Sequence, residues 1–187
     1  MPGSRPVLLV MDFQHGIVER FSGAPVVNAA ARAVKAARAA EIPVIFVRVA
    51  FRPGYPEVAD SNASFGAIKA SGADAYTESH PATQVHASLS PLEGEPVVTK
   101  RRVSAFTGSD LDVLLRGLGA GTLVMAGIAT SGVVLSTLRQ AADLDYRIAV
   151  LADACADQDP EVHRVLTEKV FPRQAQVTTT DEWIASL

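Results

Sequence analysis

Cysteine is nearly missing from this sequence. Cys155 is the single one in 187 residues, which excludes an internal disulfide framework and fits a reducing compartment. Long apolar runs are missing too. Nothing approaches the ~18 consecutive apolar residues of a membrane span, and the longest runs have the length of buried strands. The opening stretch MPGSRPVLLVMDF holds an arginine and then an apolar run of only five residues, with no small-residue cleavage site after it. That is too short for the core of a signal peptide, so the expected location is cytoplasmic. Nor does one sign of charge dominate: 17 Lys and Arg are interspersed with 20 Asp and Glu, for a formal net charge of −3. The one basic cluster, Lys100-Arg101-Arg102, is too short for a nucleic-acid footprint. Nucleic acid and membrane surfaces are therefore not expected partners, and a small-molecule substrate is.

What is present has globular composition, 48% hydrophobic and 20% charged. With no internal repeat, linker or composition shift, residues 1–187 read as a single domain. Strand-like runs alternate with helical patterns. PVLLVMD (6–12), PVIFVRV (43–49), EPVVTK (95–100), GTLVMAG (121–127), YRIAVLAD (146–153) and QAQVTT (174–179) read as six strands. Between them, Pro25–Ala40 is helical, with Val26, Ala30, Val34 and Ala37 on one face. Further helices are expected over 109–119, opened by a serine cap and closed on glycine, over 131–144 and over 160–171. This order predicts an α/β fold with a parallel sheet covered by helices on both faces. Residues 50–94 show no sustained periodicity and are rich in Pro, Gly and Ser. A loop that long in a compact domain is a lid, a substrate wall or a mobile segment.

Parallel sheets bind ligands beyond the carboxyl ends of their strands, where strand order reverses. Three segments deliver candidate groups to that rim: Asp12 after the first strand, Lys100 after the third, and the turn at 128–133 after the fourth. A carboxylate and an ammonium in one water-poor crevice tune each other's titration. The turn within GIATSGVVLST (127–137) presents backbone N–H groups at a helix start, where an oxyanion or carboxylate is stabilised. Plainer roles compete: Asp12 as a turn residue, Lys100 as a solvated charge beside Arg101 and Arg102, and Thr130 or Ser131 as a helix cap.

The set VLLVMDFQHGI, VVTKRRVSAF and AGIATSGVVLSTLRQAADLDYRIAVLADAC, followed by His163, resembles the isochorismatase-like hydrolase superfamily. That superfamily includes nicotinamidases, N-carbamoylsarcosine amidases and related cysteine hydrolases. The resemblance implies a Rossmann-like three-layer α/β/α sandwich with a six-stranded parallel sheet, a homodimer or homotetramer, and no cofactor. It makes Asp12 the catalytic acid and Lys100 the catalytic lysine. The superfamily's nucleophilic cysteine falls at Val133, so the thiol is absent. Ala129, Thr130, Gly132 and Val133, with Gln14 and Phe106, are the expected oxyanion or substrate-binding surface. Members that lack the cysteine, the true isochorismatases, hydrolyse a vinyl ether through the aspartic acid without a covalent intermediate.

Valine cannot add to a carbonyl or nitrile. Three readings follow. One is a hydrolase acting through Asp12 and Lys100 with no cysteine nucleophile, on a vinyl ether or a related substrate. The others are a catalytically silent, ligand-binding relative and an amidase using another nucleophile, such as Ser131 or Thr130. Cys155, after the fifth strand, reads as a small buried packing residue. Asp60, Asp74, His80 and His86 lack the tight pairing of a metal cluster, so no metal is expected. His15 and His163 read as surface or capping residues, Gln14 as orienting the acid or satisfying a backbone group, and Phe13, Phe51 and Phe106 as core or pocket wall.

Overall fold

The computed structural model describes residues 5–21 and 24–187. Six strands form one parallel sheet: β1 (Arg5–Met11), β2 (Val44–Val49), β3 (Val97–Lys100), β4 (Ala120–Ile128), β5 (Arg147–Ala156) and β6 (Gln176–Thr178). Their spatial order is β3-β2-β1-β4-β5-β6, so the order reverses between β1 and β4. The helices are α1 (His15–Val18), α2 (Ala24–Ala39), α3 (Gly66–Ser71), α4 (Leu111–Gly117), α5 (Leu135–Asp143), α6 (Pro160–Val165) and α7 (Thr180–Ala185). Among the described residues, no helix is long and apolar enough to cross a membrane.

The two-residue period of β1 builds both faces of the sheet. Val7, Leu9 and Met11 pack with Leu111 and Leu115 of α4 and with Leu138 and Ala141 of α5. Leu8 and Val10 pack with Val26, Ala30 and Val34 of α2 and with Trp183 of α7. The outcome is the expected three-layer α/β/α arrangement. The apolar face read for α2 is the face it buries, and its alanines let the helix lie close to the sheet.

Gly127 shows how close the layers come. A Cβ there would lie 2.9 Å from Val134 Cγ2 and 3.2 Å from Met11 Cβ and Met11 O. Since backbone cannot yield as a side-chain tip does, Gly127→Ala is expected to lower unfolding free energy by about 1–3 kcal/mol. A urea titration followed by circular dichroism reads this as a lower midpoint at unchanged slope.

Several elements differ from the sequence expectation for identifiable reasons. The helix expected over 131–144 begins as a wide turn, Thr130–Val134, in which Gly132 (φ −94°, ψ −105°) is not helical; regular α5 starts only at Leu135. β5 runs on to Ala156 because a register shift between Met125 and Gly127 lets Gly127 pair with Cys155 and Ile128 with Ala156. The helix expected over 160–171 forms, but only Pro160–Val165 is regular: it widens to a π-helical turn, Leu166–Val170, and tightens to a 3-10 turn, Phe171–Arg173. Pro172, lacking an N–H, cannot continue the ladder. Residues 50–94 are folded rather than loose. Phe51 packs edge-on against Phe65 at 5.1 Å and at a tilt against Tyr55 at 5.5 Å, forming a small apolar cluster with Val49 and Val58 beside the main core.

Candidate active site

The end of β1 turns sharply. Asp12 adopts φ +59°, a left-handed conformation that Asp tolerates better than most residues, and its N–H donates to Val47 O at 2.8 Å. Its carboxylate meets the ammonium of Lys100, the last residue of β3, across two strands. Asp12 Oδ2 and Lys100 Nζ are 3.0 Å apart, with side chains 7% and 2% exposed. Lys100 Nζ also donates to Arg102 O at 3.0 Å. Asp12 Oδ1 is buried and has no hydrogen-bond partner. Burial raises the Asp12 pKa above the ordinary 3.8, and the opposing charge and hydrogen bond of Lys100 offset this only in part.

The basic run that ends β3 is framework rather than a solvated face. Arg101 donates to Ala50 O and pairs with Glu78. Arg102 donates to Glu57 O at 2.8 Å and to Arg101 O at 2.7 Å. These bonds hold the folded 50–94 segment against β3 and fix where Lys100 points.

The turn after β4 begins with a cis Ile128–Ala129 peptide. Two residues of the segment following β5 anchor it. Asp157 Oδ2 accepts from Ser131 N–H at 2.7 Å, and His163 Nδ1 bonds the fully buried Thr130 hydroxyl at 2.8 Å. Burial lowers the His163 pKa, against a weaker pull from Asp157. Val133, buried, occupies the cavity side of the turn. His163→Ala leaves a buried hydroxyl unpaired, and is expected to cost about 1–3 kcal/mol of unfolding free energy. Thermal unfolding of the variant against wild type measures the loss.

Asp12, Lys100, Ala129, Gly132 and Val133 converge on one cavity of about 330 Å³, within the range of small-molecule sites. The opposite wall comes from Ile17, Arg20 and Phe21 and from Phe65, Ile68 and Tyr76 of the 50–94 segment. A larger open groove of about 550 Å³, by Ala36, Ala39 and Ile184, lies between α2 and α7 and brings together no acid–base pair.

Three residues expected at the site stand elsewhere. Gln14 is buried with its amide spent on backbone: Nε2 donates to Val49 O at 2.8 Å and Thr83 O at 2.9 Å, and Oε1 accepts from Val49 N–H at 2.8 Å. It ties the start of the loop to β2 and does not touch Asp12. Phe106 packs in the core under α4 and α5, its ring 6.2 Å from that of Tyr146. Thr130 faces His163 rather than the cavity. Phe13 and Phe51 are buried in apolar clusters. Arg20, Phe65, Ile68, Tyr76 and Gln158, by contrast, line the cavity and carried no sequence signal.

The remaining polar candidates have structural partners. His80 Nδ1 accepts from Ala82 N–H at 3.1 Å and His86 Nδ1 from Ser88 N–H at 3.3 Å, each capping a tight turn. His86 also lies 5.1 Å ring to ring from His15, and Asp60 pairs with Lys69 at 2.8 Å. Among the described residues, no three His, Cys, Asp or Glu side chains are grouped to hold a metal ion. Cys155 is buried, and burial pushes its thiol up to about 12. Ellman's reagent is therefore expected to leave the native protein unlabelled and to titrate one thiol after denaturation.

Comparison with known proteins identifies the family. Residues 6–182 match the isochorismatase domain family. The uncharacterized isochorismatase family protein YecD of Escherichia coli O157:H7 is 32% identical, over 96% of this chain and 95% of its own length. The ureidoacrylate amidohydrolase RutB of Pseudomonas syringae is 35% identical, over 89% of this chain and 69% of its own. Among solved structures, an isochorismatase family protein from Burkholderia thailandensis superposes with TM-score 0.86 at 30% identity, covering 100% of this chain and 98% of that one. The chain belongs to the isochorismatase family of hydrolases.

Proposed function

We propose that the chain hydrolyses a small organic substrate through Asp12 as general acid, with Lys100 as its electrostatic partner and no cysteine nucleophile. The observation that carries this reading is the setting of Asp12: it lines the cavity, its Oδ1 is buried without a protein partner, and burial has raised its pKa. A carboxyl whose pKa is raised in this way is better suited to give up a proton than an ordinary one.

A vinyl ether or a related group fits that donor. The Asp12 proton goes to the terminal vinyl carbon, whose π electrons form the new C–H bond, leaving an oxocarbenium ion. Water adds to that ion and loses a proton to the Asp12 carboxylate. The resulting hemiketal breaks its C–O bond to release an alcohol and a carbonyl compound. While Asp12 is ionised, Lys100, 3.0 Å away, stabilises it. Val133 supplies bulk and no reactive atom.

Substitution by another nucleophile draws no support from the turn. The Thr130 hydroxyl is fully buried against His163, and neither Thr130 nor Ser131 lines the cavity.

The pH dependence has a definite sign. The mechanism needs protonated Asp12, and its pKa lies above 3.8. Turnover should be constant on the acid side of that raised pKa and fall about tenfold per pH unit above it. A kcat/KM–pH profile, which reports the free enzyme, checks the direction; activity that rises through this range would contradict the assignment. The wider test offers isochorismate, as a vinyl ether, beside a panel of small amides and nitriles. Vinyl-ether turnover that depends on Asp12 supports the reading. Ligand binding without turnover of any member favours a silent relative, and amide turnover that survives Asp12→Asn contradicts the role of the carboxylate.

A further inference from the structure

The cavity holds two cationic side chains, and only one is spoken for. Lys100 Nζ is committed to Asp12 and to Arg102 O. Arg20, on the single turn Glu19–Phe21 after α1, stands at the exposed mouth of the same cavity. Its Nη1 donates to the Tyr76 hydroxyl at 2.8 Å, with the guanidinium carbon 5.7 Å from the centre of the Tyr76 ring. It makes no ion pair among the described residues. The neighbouring arginines differ: Arg52 pairs with Glu57 at 2.7 Å, Arg101 with Glu78, and Arg102 is tied to two backbone carbonyls. Tyr76 is itself held in place, since Phe51 N–H donates to Tyr76 O at 2.8 Å. Arg20 is thus positioned by an aromatic hydroxyl while most of its five donors remain available.

Charge on the lining points the same way. Asp12 is the single carboxyl group among the residues lining the cavity, and it is bound to Lys100. Phe21, Phe65 and Ile68 add apolar surface to the lining, so the polar recognition this cavity offers beyond the Asp12–Lys100 pair includes the exposed Arg20 guanidinium. A fork of N–H donors matches a carboxylate in both geometry and charge.

We infer that Arg20, positioned by Tyr76, binds a carboxylate of the substrate, so that the substrate is a small carboxylic acid. This rests on the proposed cavity as the substrate site. It assigns Arg20 to recognition and leaves proton transfer with Asp12. Tyr76 is a positioning residue that sets the guanidinium against the wall.

Binding of unreactive probes tests this without turnover. Benzoate and cinnamate, paired with benzyl alcohol and cinnamyl alcohol as neutral counterparts, are titrated calorimetrically into the full chain and into Arg20→Leu, Arg20→Lys and Tyr76→Phe. Arg20 is exposed, so folding is expected to survive, and circular dichroism verifies it. At least one carboxylate is expected to bind wild type more tightly than its alcohol and to weaken about tenfold or more in Arg20→Leu, the worth of one charge-assisted contact. Arg20→Lys should recover part of that loss and Tyr76→Phe should show a smaller one, with alcohol binding unchanged throughout. Carboxylate binding that is indifferent to Arg20, or no carboxylate binding across the set, overturns the inference. Because no turnover is read, a chain that hydrolyses nothing can still pass, and one that hydrolyses through Asp12 can still fail.

Discussion

Asp12→Asn is expected to lower kcat by about two to four orders of magnitude, the usual contribution of a positioned general acid. Asparagine keeps the shape of the side chain and can still accept a hydrogen bond from Lys100, so the cavity should persist, while the buried ammonium loses its counter-charge and the fold loses stability. What it lacks is the dissociable proton. Steady-state rates on a vinyl-ether substrate give the magnitude, and a native circular dichroism spectrum of the variant at the assay temperature separates lost chemistry from lost structure. Asp12→Glu should also be impaired, because the longer side chain displaces the acid from the place its unpartnered Oδ1 now holds.

Lys100→Met carries the second large effect, on stability as well as rate. The pair is buried, with Lys100 2% exposed, and removing one partner of a buried ion pair costs about 3–5 kcal/mol because the other charge is left without compensation. The loss depends on pH. Lys100 pulls the Asp12 pKa down against burial, so without it the folded-state pKa of Asp12 rises further. A carboxyl whose folded pKa is raised contributes fully below its unfolded value of 3.8. That contribution is lost as pH rises through the folded pKa. The gap in unfolding free energy between wild type and Lys100→Met should therefore be wide at neutral pH and narrow in acid. Urea titrations at several pH values measure it. A gap independent of pH would mean that Lys100 acts through packing of its stem alone.

How legible this was in the sequence varied with the element. The β-strands and α2 were readable because buried parallel strands are nearly continuous apolar runs and α2 keeps Val26, Ala30, Val34 and Ala37 on one face. Asp12 and Lys100 were readable as rim residues because each directly follows or ends such a run, and a parallel sheet places those ends together. The kink at Gly132 was hidden: helix composition continues through Val134, and only the tertiary anchors Asp157 and His163, from a segment some 30 residues on, hold the turn away from helical geometry. Gln14 and Phe106 were misplaced for a similar reason. Their neighbours in sequence line the cavity, while their own side chains turn to backbone carbonyls and to the core. Arg20 and Tyr76 come from opposite sides of a long separation, |i−j|=56, in stretches without periodicity, and no local pattern could pair them.

The isotope content of the product is the most direct probe of the central claim. Wild-type protein is given isochorismate in D2O, and the carbonyl product is analysed by mass spectrometry at early times, beside an Asp12→Asn control. Proton transfer from Asp12 to carbon predicts carbon-bound deuterium in the product at first formation, with product all but absent in the control. Product released without carbon-bound deuterium, or formed equally well by Asp12→Asn, would contradict catalysis by that acid.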